Sequence, residues 1–146
     1  MRVLVDTNVV LDVLLARQPF VAAASELFGL VEHSRIEGLL CATTITTIDY
    51  LLIQSIPRPA AHQALRKLLA LFEIASVNRA VLEEALKSKV TDFEDAVLDQ
   101  AGRLAGAEVV VTRNQRDFRL SSLRILGPDE FLSSFRGLKT ATPLVF

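Results

Sequence analysis

The chain has one cysteine, Cys41, and no tryptophan. A single thiol excludes an internal disulfide. Set in the apolar run Leu39-Leu40-Cys41-Ala42, it reads as a buried, inert side chain suited to a reducing cytoplasm. Aromatic residues are sparse, with one tyrosine and scattered phenylalanines, so no base-stacking platform stands out. No apolar run approaches the ~20 residues that cross a bilayer. Asp6 cuts the N-terminal apolar stretch before a signal-peptide core can form, so the expected location is the cytoplasm, with no membrane partner. No Gly-rich phosphate loop occurs, which counts against a nucleotide cofactor. An excess of one charge is also lacking: the formal net charge is −1, and no global basic field announces nucleic acid.

What is present suits one folded domain. The 146 residues are 51% apolar, enough to bury a proper core. The mean hydropathy of +0.37 is high for a soluble chain. It implies a rich core or an apolar surface that meets a partner. Charge is uneven along the chain. Residues 113–124 carry Arg113, Arg116, Arg119 and Arg124 against one acid, Asp117. That stretch suits the rim of a site for a polyanion, and equally a solvated surface loop.

Short apolar strands alternate with helical periodicities. Val3–Val5 reads as a buried strand. Helices are expected over 8–16, from Pro19 to Ile36 with Gly38 as the stop, over 45–56 behind Thr43 or Thr44 as cap, over 60–72, from Asn78 to about Lys89, and from a Thr91-x-x-Glu94 capping box to near Gly106. Further strands are expected at 39–42, 73–77, 108–112 and 124–126, and a last helix over 129–135. The alternation predicts an α/β chain in three layers, a central mostly parallel sheet with helices on both faces. Residues 1–136 form the expected domain. Residues 137–146 form a tail, either disordered or docked through Leu144-Val145-Phe146 on the body or a neighbour.

Asp6 directly follows the first strand, at the edge where open α/β sheets bind ligands. Alone it would be a helix cap. Asp117 follows the strand 108–112, and Asp95 lies in the first turn of the preceding helix. Strand carboxyl ends and helix N-termini share one edge in this architecture, so the three acids can meet. Clustered carboxylates repel unless a cation neutralises them, and all-oxygen ligation suits Mg²⁺ or Mn²⁺. Asp99, one turn beyond Asp95, can reach the same cation or a second one. Asp49 falls in the apolar stripe of Ile45, Ile48, Leu52, Ile53 and Ile56. It is either a ligand or a side chain that reaches water at the sheet's edge. Asp92 reads as a solvated helix-start acid, and His33 and His62 as surface helix residues.

These motifs resemble the PIN domain. Asp6-Thr7-Asn8 follows a strand, Asp92-Phe93-Glu94-Asp95-Ala96 opens a helix, Thr112-Arg113-Asn114-x-x-Asp117-Phe118 follows the next strand, and Leu126-Gly127-Pro128-Asp129-Glu130-Phe131-Leu132 closes the pattern. The resemblance spans residues 3 to 132. It implies a three-layer α/β/α fold and a Mg²⁺-dependent ribonuclease, most often the toxin of a toxin–antitoxin pair of the VapC kind, with an antitoxin protein and a second copy as partners. It matches Asp6 and Asp95 to the principal metal ligands, Asp117 to the last acid, and Asn8 and Asn114 to polar residues near the site. The sequence departs at the second acid: where the family has glutamate, Ile45-Thr46-Thr47-Ile48-Asp49-Tyr50 offers Asp49, or Thr47 in the subgroup that lacks this acid.

The expected chemistry is hydrolysis of RNA phosphodiesters, with Asp6, Asp49, Asp95 and Asp117 as the catalytic set and Arg113 and Arg116 holding the RNA backbone. Two rivals remain. A phosphatase of the haloacid-dehalogenase type needs a second acid two residues after the first, and Asn8 stands there. A PIN-like domain with weak or lost catalysis would serve as an RNA- or protein-binding module.

Overall fold

The computed structural model describes residues 1–134, 144 and 146. Five strands form one sheet, β1 (Arg2–Val5), β2 (Glu37–Cys41), β3 (Glu73–Ala75), β4 (Val109–Val111) and β5 (Arg124–Leu126), in the order β3-β2-β1-β4-β5. Every pairing is parallel. The helices are α1 (Thr7–Leu14), α2 (Val21–Glu32), α3 (Ala42–Leu52), α4 (Arg58–Leu71), α5 (Arg79–Lys87), α6 (Phe93–Leu104) and α7 (Pro128–Ser133). A single 3-10 turn spans Gln115–Phe118.

Alternation along β1 divides the core. Val3 and Val5 face one layer with buried residues of α1, α2, α3, α4 and α7. Leu4 faces the other, against α5, α6 and Phe118. Each such buried aliphatic side chain contributes about 1.5–3 kcal/mol, and β1 is covered on both faces as a central parallel strand requires. On the α6 side the approach is close. A Cβ on Gly102 would stand 2.6 Å from Leu4 Cδ2, so only glycine lets this helix lie so near β1.

Several element boundaries differ from the sequence expectation. Helix α2 begins at Val21, after a cis Gln18–Pro19 bond, and ends at Glu32, where the chain turns through Ser34 at φ 55°. Gly38 lies inside β2, and its job is spatial: a Cβ there would come within 2.6 Å of Phe72. Helix α3 begins at Ala42 with no side-chain cap, which puts Thr43 and Thr44 inside its first turn. Asp92, and not Thr91, caps α6, its Oδ1 accepting from the Asp95 N–H at 2.9 Å. Asn78 does cap α5, accepting from Val81 N–H at 3.1 Å. The expected tail, 137–146, lies outside the described residues except Leu144 and Phe146. Phe146 packs edge-on to Phe28 at 5.6 Å. Among the described residues no helix is long and apolar enough to cross a membrane.

The chain runs outward from β1 to β3, crosses back, and adds β4 and β5 on the other side. The strand order therefore reverses between β1 and β4. That switch point opens a crevice at their carboxyl ends.

Candidate functional site

Asp6 stands at this crevice as the N-cap of α1. Its N–H continues the β1–β4 ladder by donating to Val111 at 3.0 Å. One carboxylate oxygen accepts from the Thr7 N–H and the other from the Thr112 hydroxyl, both at 2.7 Å. The Thr112 hydroxyl in turn accepts from the Asn114 N–H at 2.9 Å. Asp6 is thus oriented by the first turn of α1 and by the end of β4. Burial pushes its pKa up, the two hydrogen bonds pull it down, and Glu94 and Asp117 add repulsion.

A cleft of about 410 Å³ opens over Asp6. Asp95 and Asp117 line it, as do Asn8 and Asn114. The β1 end, the first turn of α6 and the 3-10 turn after β4 thus bring three acids together, as their positions in the sequence predict. Asp95 responds most strongly. Burial, then repulsion from Asp92, Asp6, Asp117 and Glu94, pushes its pKa up to about 7.

The other expected members lie elsewhere. Asp99 is buried on the inner face of α6, where Ser121 donates to its Oδ1 and Gln100 Nε2 lies 3.4 Å from its Oδ2. Asp49 faces α4, with Oδ1 3.4 Å from His62 Nε2, close enough to pair without hydrogen-bond alignment. Neither lines the cleft. Helix α3 contributes Thr43 to the wall instead. Arg116 is exposed beside a small cavity with Lys89, Arg119 and Asp117.

Arg113 is anchored. Its guanidinium donates twice to Asp12, at 2.7 and 3.1 Å, and covers the Phe20 ring at 3.8 Å. Asp12 is fully buried and also accepts from Arg17 Nε at 2.9 Å. Arg17 reaches back to the Asn8 carbonyl at 3.0 Å and lines the cleft. Sequence reasoning missed Asp12, Arg17, Thr112 and Glu94 as parts of this neighbourhood. The available signal for Asp12 was an acid inside Val9-Val10-Leu11-Asp12-Val13, where the helix has no wet face.

The donor set fits a hard cation. It consists of carboxylates plus the Asn8 side-chain oxygen, which is buried with no protein partner. Neither cysteine nor histidine lines the cleft. Among the described residues no group of three or more Asp, Glu, His or Cys side chains is placed to hold a metal ion together. Mg²⁺ does not need one, since it binds through one or two carboxylates and keeps several waters. Asp6 and Asp95 are the pair that can hold it, with Asp117 at the mouth.

The family model for the PIN domain matches residues 2–116. The chain belongs to the PIN domain family. Solved structures of similar fold include VapBC2 from Rickettsia felis bound to promoter DNA, at 14% identity and TM-score 0.66, covering 87% of this chain and 98% of that one. A toxin–antitoxin complex from Klebsiella pneumoniae is 20% identical with TM-score 0.65, covering 86% and 97%. FitAcB from Neisseria gonorrhoeae is 17% identical with TM-score 0.66, covering 86% and 97%. At these identities the likeness is one of fold. No curated protein sequence matched.

Proposed function

We propose that this PIN domain is a Mg²⁺- or Mn²⁺-dependent endoribonuclease and the toxin of a toxin–antitoxin pair. The observation that carries the reading is the convergence of Asp6, Asp95 and Asp117 from distant segments onto one crevice, with Asp95 raised to about pKa 7 by burial and then by the acids around it. Asp6 and Asp95 would hold the cation, Asp95 releasing its proton as it binds. A cation there supplies an activated water and charge neutralisation for an in-line attack on a phosphodiester. The residues do the rest. Thr112 and the Thr7 N–H fix the Asp6 carboxylate. Asn8 lines the cleft with its side-chain oxygen unpartnered, so a small shift of the amide would let it accept a hydrogen bond from water or a ribose hydroxyl. Asn114 and Arg17 line the rim where the RNA backbone would pass. Arg113, committed to Asp12, acts as scaffold more than as a free phosphate ligand.

The biological reading rests on fold likeness to a complex described as a toxin–antitoxin assembly and to VapBC2 bound to promoter DNA. It includes an antitoxin partner, a homodimer and action in the cytoplasm, with residues 1–136 as the nuclease unit. A second reading, a binding module with weak catalysis, is favoured by one observation: α3 brings Thr43 and no acid to the cleft. Incubation of single-stranded RNA with Mg²⁺, with chelator, and with Asp6→Asn and Asp95→Asn variants separates the two. The nuclease reading expects cleavage that chelator and either substitution abolish. RNA binding without cleavage would select the module.

A further inference from the structure

Beside the acidic cleft lies a larger cavity of about 530 Å³ between the start of α2 and the start of α7. Arg113 lines both spaces and forms the wall between them. We propose that this cavity is a nucleobase subsite, which takes one unpaired base next to the bond cut in the acidic cleft and sets sequence preference. The proposal rests on the ribonuclease reading above.

Three features point to a base and not to a phosphate. The first is a flat, rigid surface. Phe20 is 40% exposed and stacks with the Arg113 guanidinium. The bidentate bond to buried Asp12 immobilises that guanidinium. A base stacked on either planar group extends an existing stack at little entropic cost. The second is shape. Pro19 and Pro128 supply apolar, inflexible walls, and the volume falls in the range of small-ligand pockets. The third is charge. Asp129 and Glu130 stand at the rim and repel a phosphate, yet they can accept from the exocyclic amino group of adenine, cytosine or guanine. Gln115 Nε2 is already committed to Glu130 Oε1 at 2.6 Å, which orients its amide carbonyl as a further acceptor. Uracil, with no amino group, meets these acceptors least well. The scarcity of aromatic residues in the sequence hid this platform, because its second plane is an arginine 93 positions away in the chain.

The test has two arms. In the first, wild-type protein and Phe20→Ala cut a ribo-oligonucleotide mixture randomised around one site. The expected wild-type profile favours an amino-bearing base at one fixed position beside the cut, and Phe20→Ala flattens that preference about tenfold while raising KM, by the usual worth of one base–aromatic stack. Asp129→Asn is expected to narrow the gap between cytosine and uracil at the same position. In the second arm, the Gln115 side-chain amide is followed by NMR during titration with AMP, CMP, UMP and ribose 5-phosphate. Saturable shifts with AMP or CMP, absent with ribose 5-phosphate, support the subsite even if the protein cuts no RNA, in which case the nuclease reading alone fails. Cleavage with an unchanged profile in both variants and no nucleotide-specific shift overturns the subsite and leaves the nuclease standing. Equal shifts from ribose 5-phosphate also overturn it, as does displacement of none of these signals by nucleotide but all of them by a protein partner.

Discussion

The hydroxyl of Thr112 donates to Asp6 across the β1–β4 boundary, 2.7 Å from oxygen to oxygen, and accepts from the Asn114 N–H in the same step. One side chain thereby fixes the first carboxylate and the loop that carries Asn114. Thr112→Val keeps the shape and removes both bonds. The expected result is a raised Asp6 pKa, weaker cation binding, and a loss of cleavage nearer tenfold than the ~100-fold or more expected for Asp6→Asn by analogy with loss of a charge-stabilising group. Isothermal titration with Mn²⁺ and single-turnover cleavage measure both. Unchanged cation affinity in Thr112→Val would show that Asp6 needs no such support.

Asp95 should make stability depend on pH. Its folded pKa of about 7 lies above the ordinary value of 3.8. Between those values the folded state keeps a proton that the unfolded state has lost, so this contribution is present at low pH and disappears as pH rises through about 7. Asp6 and Asp99 are shifted the same way. Cation-free protein is expected to melt lower at pH 8 than at pH 5.5, and Asp95→Asn is expected to flatten the slope. Added Mg²⁺ should restore most stability at the high-pH end, since a bound cation neutralises the carboxylates that have ionised there. A melting temperature that rises from pH 5.5 to 8 in both proteins without cation would contradict the repulsion.

Asp12 holds two arginines with a carboxylate that has no exposure. Asp12→Ala leaves Arg17 and Arg113 unpaired at the rim. Breaking a fully buried pair costs about 3–5 kcal/mol. Both arginines are part-exposed, so a loss of about 2 kcal/mol is expected. Urea unfolding measures it. The double variant Asp12→Ala with Arg113→Met should recover part of the loss.

Asp49→Asn is expected to leave cleavage within about twofold of wild type, because Asp49 faces His62 and not the cleft. A loss comparable to that of Asp95→Asn, in a protein with unchanged melting temperature, would restore Asp49 to the catalytic set.

The legible and illegible parts of the site divide along one physical line. Asp6 and Asp117 follow apolar strands, and Asp95 opens a helix, so local sequence alone assigns them to one sheet edge. The sheet and its helical layers were legible for the same reason, since alternation and periodicity are local. Asp99 misled because helical spacing puts it on Asp95's side. One turn is about 5.4 Å of depth, and at that depth α6 is roofed by the segment carrying Ser121. Asp49 misled because its apolar stripe is real, but the stripe ends where α4 brings in His62. Asp12 showed itself only as an acid in an apolar run, and its pairing with Arg113, 101 residues away, had no local trace. Gly38 looked like a helix stop because its constraint, the Phe72 ring, comes from another element.

The placement of β1 at the middle of the sheet has a consequence in time. Leu4 pairs with Val110, and Asp6 receives its hydroxyl from Thr112, 106 residues later. Contacts of such separation form late, after local helices. During synthesis Asp6 emerges 106 residues before Thr112, and the crevice has no second wall until β4 has left the ribosome and inserted. A chain that stops short of β4 therefore carries Asp6 but no cleft. A nuclease of the proposed kind would thus have no working cleft facing the translating ribosome until β4 is in place.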